Sequence, residues 1–214
     1  MGDLHQRKQS PENRVDDFYS TLKSKIAEIV ELGYSEGVDA FLFAGDFFDT
    51  PMPSMSVVSE TTKLWLNGLD ITELLSEPYK HLMQIARLQE DYERIIKQLL
   101  DVYSDAVELG TPEDRQKKLY SGVELLVKDI KAKEDTLLKS TEEIRPILLQ
   151  KAGRAIPLIG VAGNHDLYES GINALNRTML GFLVSLGIVR LVSMNKPYIF
   201  KGNGLTCAVT GTSY

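Results

Sequence analysis

Ile156-Pro157-Leu158-Ile159-Gly160-Val161-Ala162-Gly163-Asn164-His165-Asp166 is the stretch from which the rest of the chain can be read. A short apolar strand runs into a glycine and then three polar side chains, which places Asn164, His165 and Asp166 at the C-terminal lip of a buried strand. Residues 38–44 repeat the arrangement. They form an apolar run that enters Gly45-Asp46-Phe47-Phe48-Asp49, and Gly2-Asp3-Leu4-His5 precedes both. Open α/β sheets bind ligands at this edge, and a continuous apolar strand fits a parallel sheet covered on both faces. The expected fold class is therefore α/β.

Between these turns the spacing predicts a helix over 14–33, with Val15, Phe18, Leu22, Ile26, Ile29 and Leu32 on one face and Gly33 and Gly37 at its exit. Strand, helix and strand in that order form a βαβ unit. A short helix is expected over 57–69, after the breaks at Pro51 and Pro53. Residues 168–187 predict another helix, carrying Ile172, Leu175, Met179, Phe182, Leu183 and Leu186. A strand over 188–192 follows, then a hairpin turning at Gly202-Asn203-Gly204, since Asn-Gly is a strong hairpin signal.

Residues 79–151 differ from the rest. They hold 13 Lys and Arg against 14 Asp and Glu. Ile85, Leu88, Tyr92, Ile95, Leu99, Val102, Ala106 and Leu109 alternate spacings of three and four, which is a heptad stripe. Gly110-Thr111-Pro112 reads as helix stop and restart. A second stripe follows at Leu119, Val123, Leu126, Ile130, Leu137, Ile144 and Ile147, with Lys133 and Ser140 in two of its slots; His81 opens the first seam. The expected domains are 1–78 and 152–214, two parts of one α/β domain, and 79–151, an inserted antiparallel helical hairpin. The hairpin stands off as an arm or lies flat on the core.

The residue types at the strand ends are hard oxygen and imidazole ligands. Two divalent cations about 3.5–4 Å apart can clamp both the attacking and the leaving oxygen of a phosphoester. Holding them that close takes a bridging carboxylate with neutral imidazole and amide ligands, a mixed set that Mn²⁺ accepts. Asp46 fits the bridge. Asp3 and His5, two apart, can point at one ion, and Asn164 offers an amide oxygen to the other. His165 is then left to face substrate as a proton donor or charge stabiliser, while Asp49 and Asp166 orient the ligands from behind. Each group has a plainer reading: Asp3 and His5 as a solvated polar pair, Asp46 and Asp49 as turn residues, Asn164 and Asp166 as turn formers.

With 214 residues and a net charge of −6, the chain has no overall basic footprint for nucleic acid, though bound cations reverse a local field. Its only cysteine is Cys207, so no internal disulfide forms and a reducing compartment is expected. No apolar run approaches the ~18 residues of a membrane span, and the polar segment after His5 does not read as a signal peptide. The expectation is a cytoplasmic protein with no membrane contact.

The order Asp-x-His (Asp3, His5), Gly-Asp-x-x-Asp (45–49) and Gly-Asn-His-Asp (163–166) resembles the calcineurin-like metallophosphoesterases. Residues 11–18 leading into the first helix, and Ala44-Gly45-Asp46-Phe47-Phe48-Asp49-Thr50, resemble the DNA-repair exonuclease branch, the nuclease subunit of the SbcCD type with its viral versions. The resemblance covers about residues 1–60 and 153–214. It implies a four-layer α/β/β/α fold and two Mn²⁺ ions. Asp3, His5 and Asp46 would hold one ion, Asp46 and Asn164 the other, and His165 would be catalytic. It further implies DNA as substrate, an SMC-like ATPase partner and a possible homodimer. The family has a buried strand before Asp-x-His and further histidines after Gly-Asn-His-Asp. This chain has neither, so it reads as an N-terminal fragment that is inactive by itself. Phosphomonoesterase, cyclic-nucleotide phosphodiesterase and a non-catalytic interaction module are the competing functions.

Overall fold

The computed structural model describes residues 2, 4–109, 113–152, 155–167, 172–202 and 205–212. The chain divides into two compact units. One is Met1–Ser76 with Thr141–Tyr214, and the other is Glu77–Ser140.

In the first unit, helix α1 spans Phe18–Glu36. It starts four residues later than apolar spacing predicts because Asp17 caps it, accepting from Ser20 N at 3.1 Å. Ahead of the cap, Arg14 grips Asp16 through Nε at 2.7 Å and Nη2 at 2.9 Å, and Thr21 Oγ1 adds a bond at 3.0 Å. Val15 is left in solvent, and Leu32 is exposed too. The buried face runs instead through Ile26, Val30 and Gly33. Gly33 belongs to it because a Cβ there would stand 2.4 Å from the Phe41 ring. The Arg14 and Thr21 bonds hold the Asp16 carboxyl down at about 2. A group depressed in the folded state contributes stability above its ordinary value, 3.8, and loses it as pH falls through about 2. An NMR titration is expected to read Asp16 at about 2, returning towards 3.8 in Arg14→Ala; an Asp16 unmoved by that substitution would exclude the clasp.

Strands β1 (Phe41–Phe43), β2 (Leu158–Gly160) and β3 (Val189–Leu191) form a parallel sheet in that order, with Phe41 beside Leu158 and Leu158 beside Val189. The apolar run 38–44 yields only three strand residues. Phe41 and Phe43 are buried, but Leu42 is 44% exposed, so β1 is covered on one face. Helix α2 (Met55–Trp65) packs on α1, and Trp65 meets Phe41 edge-on at 5.3 Å. The helix expected over 168–187 is interrupted where it is described. A 3₁₀ turn, Ile172–Arg177, precedes helix α5, Met179–Leu186. Thr178 makes the break by capping α5, its Oγ1 accepting from Gly181 N at 3.1 Å. Gly181 allows the kink, since a Cβ there would stand 1.8 Å from Leu175 O. Strands β4 (Tyr198–Gly202) and β5 (Leu205–Val209) pair as the expected antiparallel hairpin, whose turn residues 203–204 fall outside the described residues. The architecture is mixed α/β.

Helices α3 (Thr72–Leu109) and α4 (Glu113–Ala152) supply the second unit from their inner lengths. They run antiparallel. Ile95 Cδ1 lies 3.5 Å from where a Cβ on Gly122 would stand. A parallel pair would put the start of α4 some 35 Å from the end of α3, at about 1.5 Å per residue, too far for three linking residues. Leu82, Ile85 and Leu99 on α3 and Ile130 and Leu137 on α4 are buried, and His81 is half-buried at the seam's start. The burial of Val102, Ala106 and Leu109 and the stop signal at 110–112 fall outside the described residues. Further along α4, Ile147 is 41% exposed and Leu148 is buried. A straight helix drifts against a seven-residue repeat, so after Leu137 the inward phase passes to Thr141, Ile144 and Leu148. The boundary between units lies at residue 141, within α4, rather than at its end.

Candidate metal centre

Three turns meet at the C-terminal end of the parallel sheet, and main-chain bonds fix them before any ligand chemistry begins. Leu4 N and His5 N both donate to Asp46 O, at 3.1 and 2.8 Å. Gln6 then pairs in parallel with Phe48. The side chain of Gln6 completes the seam: its Nε2 donates to Phe47 O at 3.1 Å, and its Oε1 accepts from Thr61 Oγ1 at 2.6 Å. Residues 4–6 are thereby docked along residues 46–48.

The third turn is held by Asp166, which is completely buried. Its carboxylate accepts three backbone N–H bonds: Phe47 at 3.1 Å, Phe48 at 3.0 Å and Gly163 at 3.0 Å. Burial pushes this carboxyl above its ordinary value, against the downward pull of those three donors. Asp166 thus orients the Asp46 turn through its backbone.

The turns are also strained. His5 and Asp46 both have φ of 42°, and Gly45 has φ of 128°. Positive φ in a non-glycine residue costs of order 1–3 kcal/mol and persists where surrounding bonds over-determine it. Here Asp46 is pinned by Leu4, His5 and His165. Gly163 is needed for the close approach, because a Cβ on it would fall 2.1 Å from Asp46 Oδ1.

Side chains of different turns then converge. Asp46 Oδ1 accepts from His165 N at 2.9 Å, and Asp46 Oδ2 lies 3.6 Å from His5 Nε2. His5 Nδ1 lies 3.3 Å from Asp49 Oδ1, and Arg7 Nη1 donates to both Asp49 oxygens at 3.0 and 2.9 Å. His165 Nδ1 bonds Asp49 O at 3.0 Å, and the two imidazoles meet edge-on at 4.7 Å. One ligand atom each from His5, Asp46 and His165 lies within 4.8 Å of the others. No protein-family model matches this chain, and no curated protein matches it.

The residues expected from the sequence stand as follows. His5, Asp46, Asp49 and His165 come together, and Asp166 lies beneath them. Asn164 shares the third turn, exposed, and its side chain makes no hydrogen bond among the described residues. Asp3 falls outside the described residues. Two contributors escaped sequence reading. Gln6 and Arg7 sit in a polar run, Gln6-Arg7-Lys8-Gln9, with no periodicity to single them out. Position alone could have flagged them, since residues just past a ligand turn become its supports.

The donor set fits a divalent cation. A carboxylate and two imidazoles leave room for exchangeable ligands, and the 4.8 Å span of the three donors exceeds the ~4.2 Å maximum for two ~2.1 Å bonds to one ion by about 0.6 Å, a shift within reach of side-chain rotation.

Proposed function

We propose that this chain belongs to a metal-dependent phosphodiester hydrolase of the calcineurin-like kind, in its DNA-repair exonuclease branch. The observation that carries this is the convergence of His5, Asp46 and His165 from three separate turns at the C-terminal end of a parallel sheet. A bound divalent cation supplies Lewis-acid polarisation of the phosphoryl oxygen and lowers the pKa of attacking water. The chain's residues do the rest. Asp46 would hold the cation through Oδ2, since its Oδ1 accepts from His165 N. Asp166 keeps the Asp46 turn rigid. Asn164, which is exposed on the same turn, would offer its amide oxygen to a second ion. The reading includes two divalent ions, Mn²⁺ first, the four-layer α/β/β/α fold, DNA as substrate, and an SMC-like ATPase partner for which the helical hairpin is the docking arm. The arm's balance of 13 cations against 14 anions favours protein contact over phosphate contact.

The test uses the product of the complete reading frame. Mn²⁺-dependent hydrolysis of bis-p-nitrophenyl phosphate and of DNA is expected, lost on chelation, restored by Mn²⁺, and absent in Asp46→Ala. Turnover confined to p-nitrophenyl phosphate would replace the diesterase by a monoesterase. A folded, cation-loaded protein without turnover on any of them would leave an interaction module.

A further inference from the structure

We propose that a cavity at the N-terminal ends of β2 and β3 is a binding site for a small apolar carboxylic acid, one ring or a short branched chain that carries a single carboxylate. The three ligand turns lie past the other ends of these strands. The site is therefore separate from the metal centre, and it stands whether or not the chain cleaves phosphodiesters.

The cavity has a volume of about 250 Å³. Residues 155–158 line it where the chain enters β2, and residues 186–188 with Arg190 line it where the chain enters β3. Trp65 and Leu66 close it from the end of α2, and Leu148 and Leu149 from the last turns of α4. Its floor is withdrawn from solvent: Trp65 is 1% exposed, and Leu148, Leu158 and Leu186 are buried with it. Leu149 and Arg190 are exposed and form the rim.

Two polar groups on this wall lack the partners that their chemistry asks for. Trp65 Nε1 is buried and has no hydrogen-bond partner among the described residues. An indole nitrogen only donates, so it needs an acceptor, and buried indoles ordinarily have one. Main-chain groups nearby are already engaged. Pro157 O accepts from Phe41 N at 2.9 Å, and Ile156 N donates to the Tyr34 hydroxyl at 3.2 Å. Arg190 is the second group. It is the only charged residue among those lining the cavity, and it makes no ion pair among the described residues. Its guanidinium lies 4.9 Å over the Tyr198 ring and donates to the Tyr198 hydroxyl through Nη1. That anchors it at the rim with further N–H donors to spare.

The rest of the lining is apolar. An ordered water needs two to four polar partners. The lining side chains offer a water two kinds of donor and nothing to accept its own protons. A carboxylate accepts without donating, and its charge answers a guanidinium. An apolar body then covers the leucine floor. The size agrees, since an apolar cavity of about 150 Å³ takes benzene, and the larger volume here leaves room for one ring and its carboxylate.

Trp65 is the only tryptophan in the chain, so one indole N–H signal reports on the cavity. The probe is phenylacetate, titrated into the 214-residue chain and followed by ¹H–¹⁵N NMR. A saturable downfield shift of the indole proton is expected, with a millimolar Kd. Ethylbenzene has the same body without acceptor or charge, and is expected to bind about tenfold more weakly. Arg190→Gln is expected to weaken phenylacetate binding about fivefold while the amide spectrum is otherwise kept. Ala155→Phe fills the cavity and is expected to abolish the response. An indole signal that does not move, or that moves equally in Ala155→Phe, would overturn the site. Unchanged affinity in Arg190→Gln, or ethylbenzene bound as tightly as phenylacetate, would overturn the carboxylate as its ligand. A long-lived water that still cross-relaxes with the indole proton at saturating phenylacetate would make that water the acceptor and remove the need for a ligand.

Discussion

Asp166→Ala is expected to be strongly destabilising, costing roughly 3–5 kcal/mol. The carboxylate is completely buried and accepts from Phe47 N, Phe48 N and Gly163 N. Alanine leaves all three donors orphaned, and each buried unsatisfied group costs about 1–3 kcal/mol. In a chain of this size that corresponds to a fall in Tm of roughly 10 °C. Asn in the same place keeps the shape but sets an amide N–H₂ against backbone donors, so it recovers only part. The pH dependence has a definite sign. Burial holds the folded pKa above 3.8, so the folded chain retains a proton that the unfolded chain has released. This group's contribution is therefore greatest below 3.8 and declines as pH rises through the folded value. Thermal denaturation across pH reads both effects. A loss below about 1 kcal/mol would mean that water replaces the carboxylate and that the turn does not depend on it.

Gly163→Ala is expected to weaken cation binding at the proposed site. The new Cβ would stand 2.1 Å from Asp46 Oδ1 and 2.3 Å from Asp46 N. Neither can retreat easily, because the Asp46 backbone is tied to Leu4 and His5 and its carboxylate to His165. Overpacking of this kind costs about 1–3 kcal/mol. The larger effect is displacement of the Asp46 carboxylate, with an expected loss of about a hundredfold in Mn²⁺ affinity, roughly 2.7 kcal/mol. Gly122→Ala is the control: its Cβ meets Ile95 Cδ1 at an ordinary 3.5 Å, and cation binding is expected to stay as it was. Wild-type Mn²⁺ affinity in a folded Gly163→Ala protein would show that Asp46 is not a ligand.

The turns were legible in the sequence because each announces itself locally: an apolar run, a glycine, then oxygen and imidazole side chains. Both strands appear there, and the mixed α/β class follows from them. The helix boundaries were less legible. Apolar spacing drew α1 across Val15, but Asp17 caps it and Arg14 holds Asp16 outside it. Likewise the heptad count carried the α4 seam to Ile147, whereas the helix's own period reaches Leu148. At the site, the residue types were readable from the sequence, but the bonds that hold them were not. The His165 ring direction depends on the Asp49 carbonyl, to which its Nδ1 bonds at 3.0 Å, and that carbonyl is set by the backbone and not by residue identity. Asp166 looked like an orienting group, but its targets are main-chain N–H groups 118 and 119 positions away, which no local pattern encodes.

That separation bears on the order in which the chain can assemble itself. β1 leaves the ribosome well before β2, and at about 5–20 residues per second the intervening ~115 residues take roughly 6–23 s to synthesise. During that interval Phe41 and Phe43 have no partner strand, and the Asp46 turn lacks the carboxylate that later secures it. Contacts across the inserted α3–α4 hairpin span fewer positions, as Ile95 meets Gly122 27 residues on, and contacts of shorter sequence separation form faster. Closing the hairpin shortens the effective loop between β1 and β2, which lowers the entropy cost of pairing them. A nascent chain with a weakened hairpin is therefore expected to hold β1 without its partner strand for longer, and to be more exposed to chaperones and to aggregation.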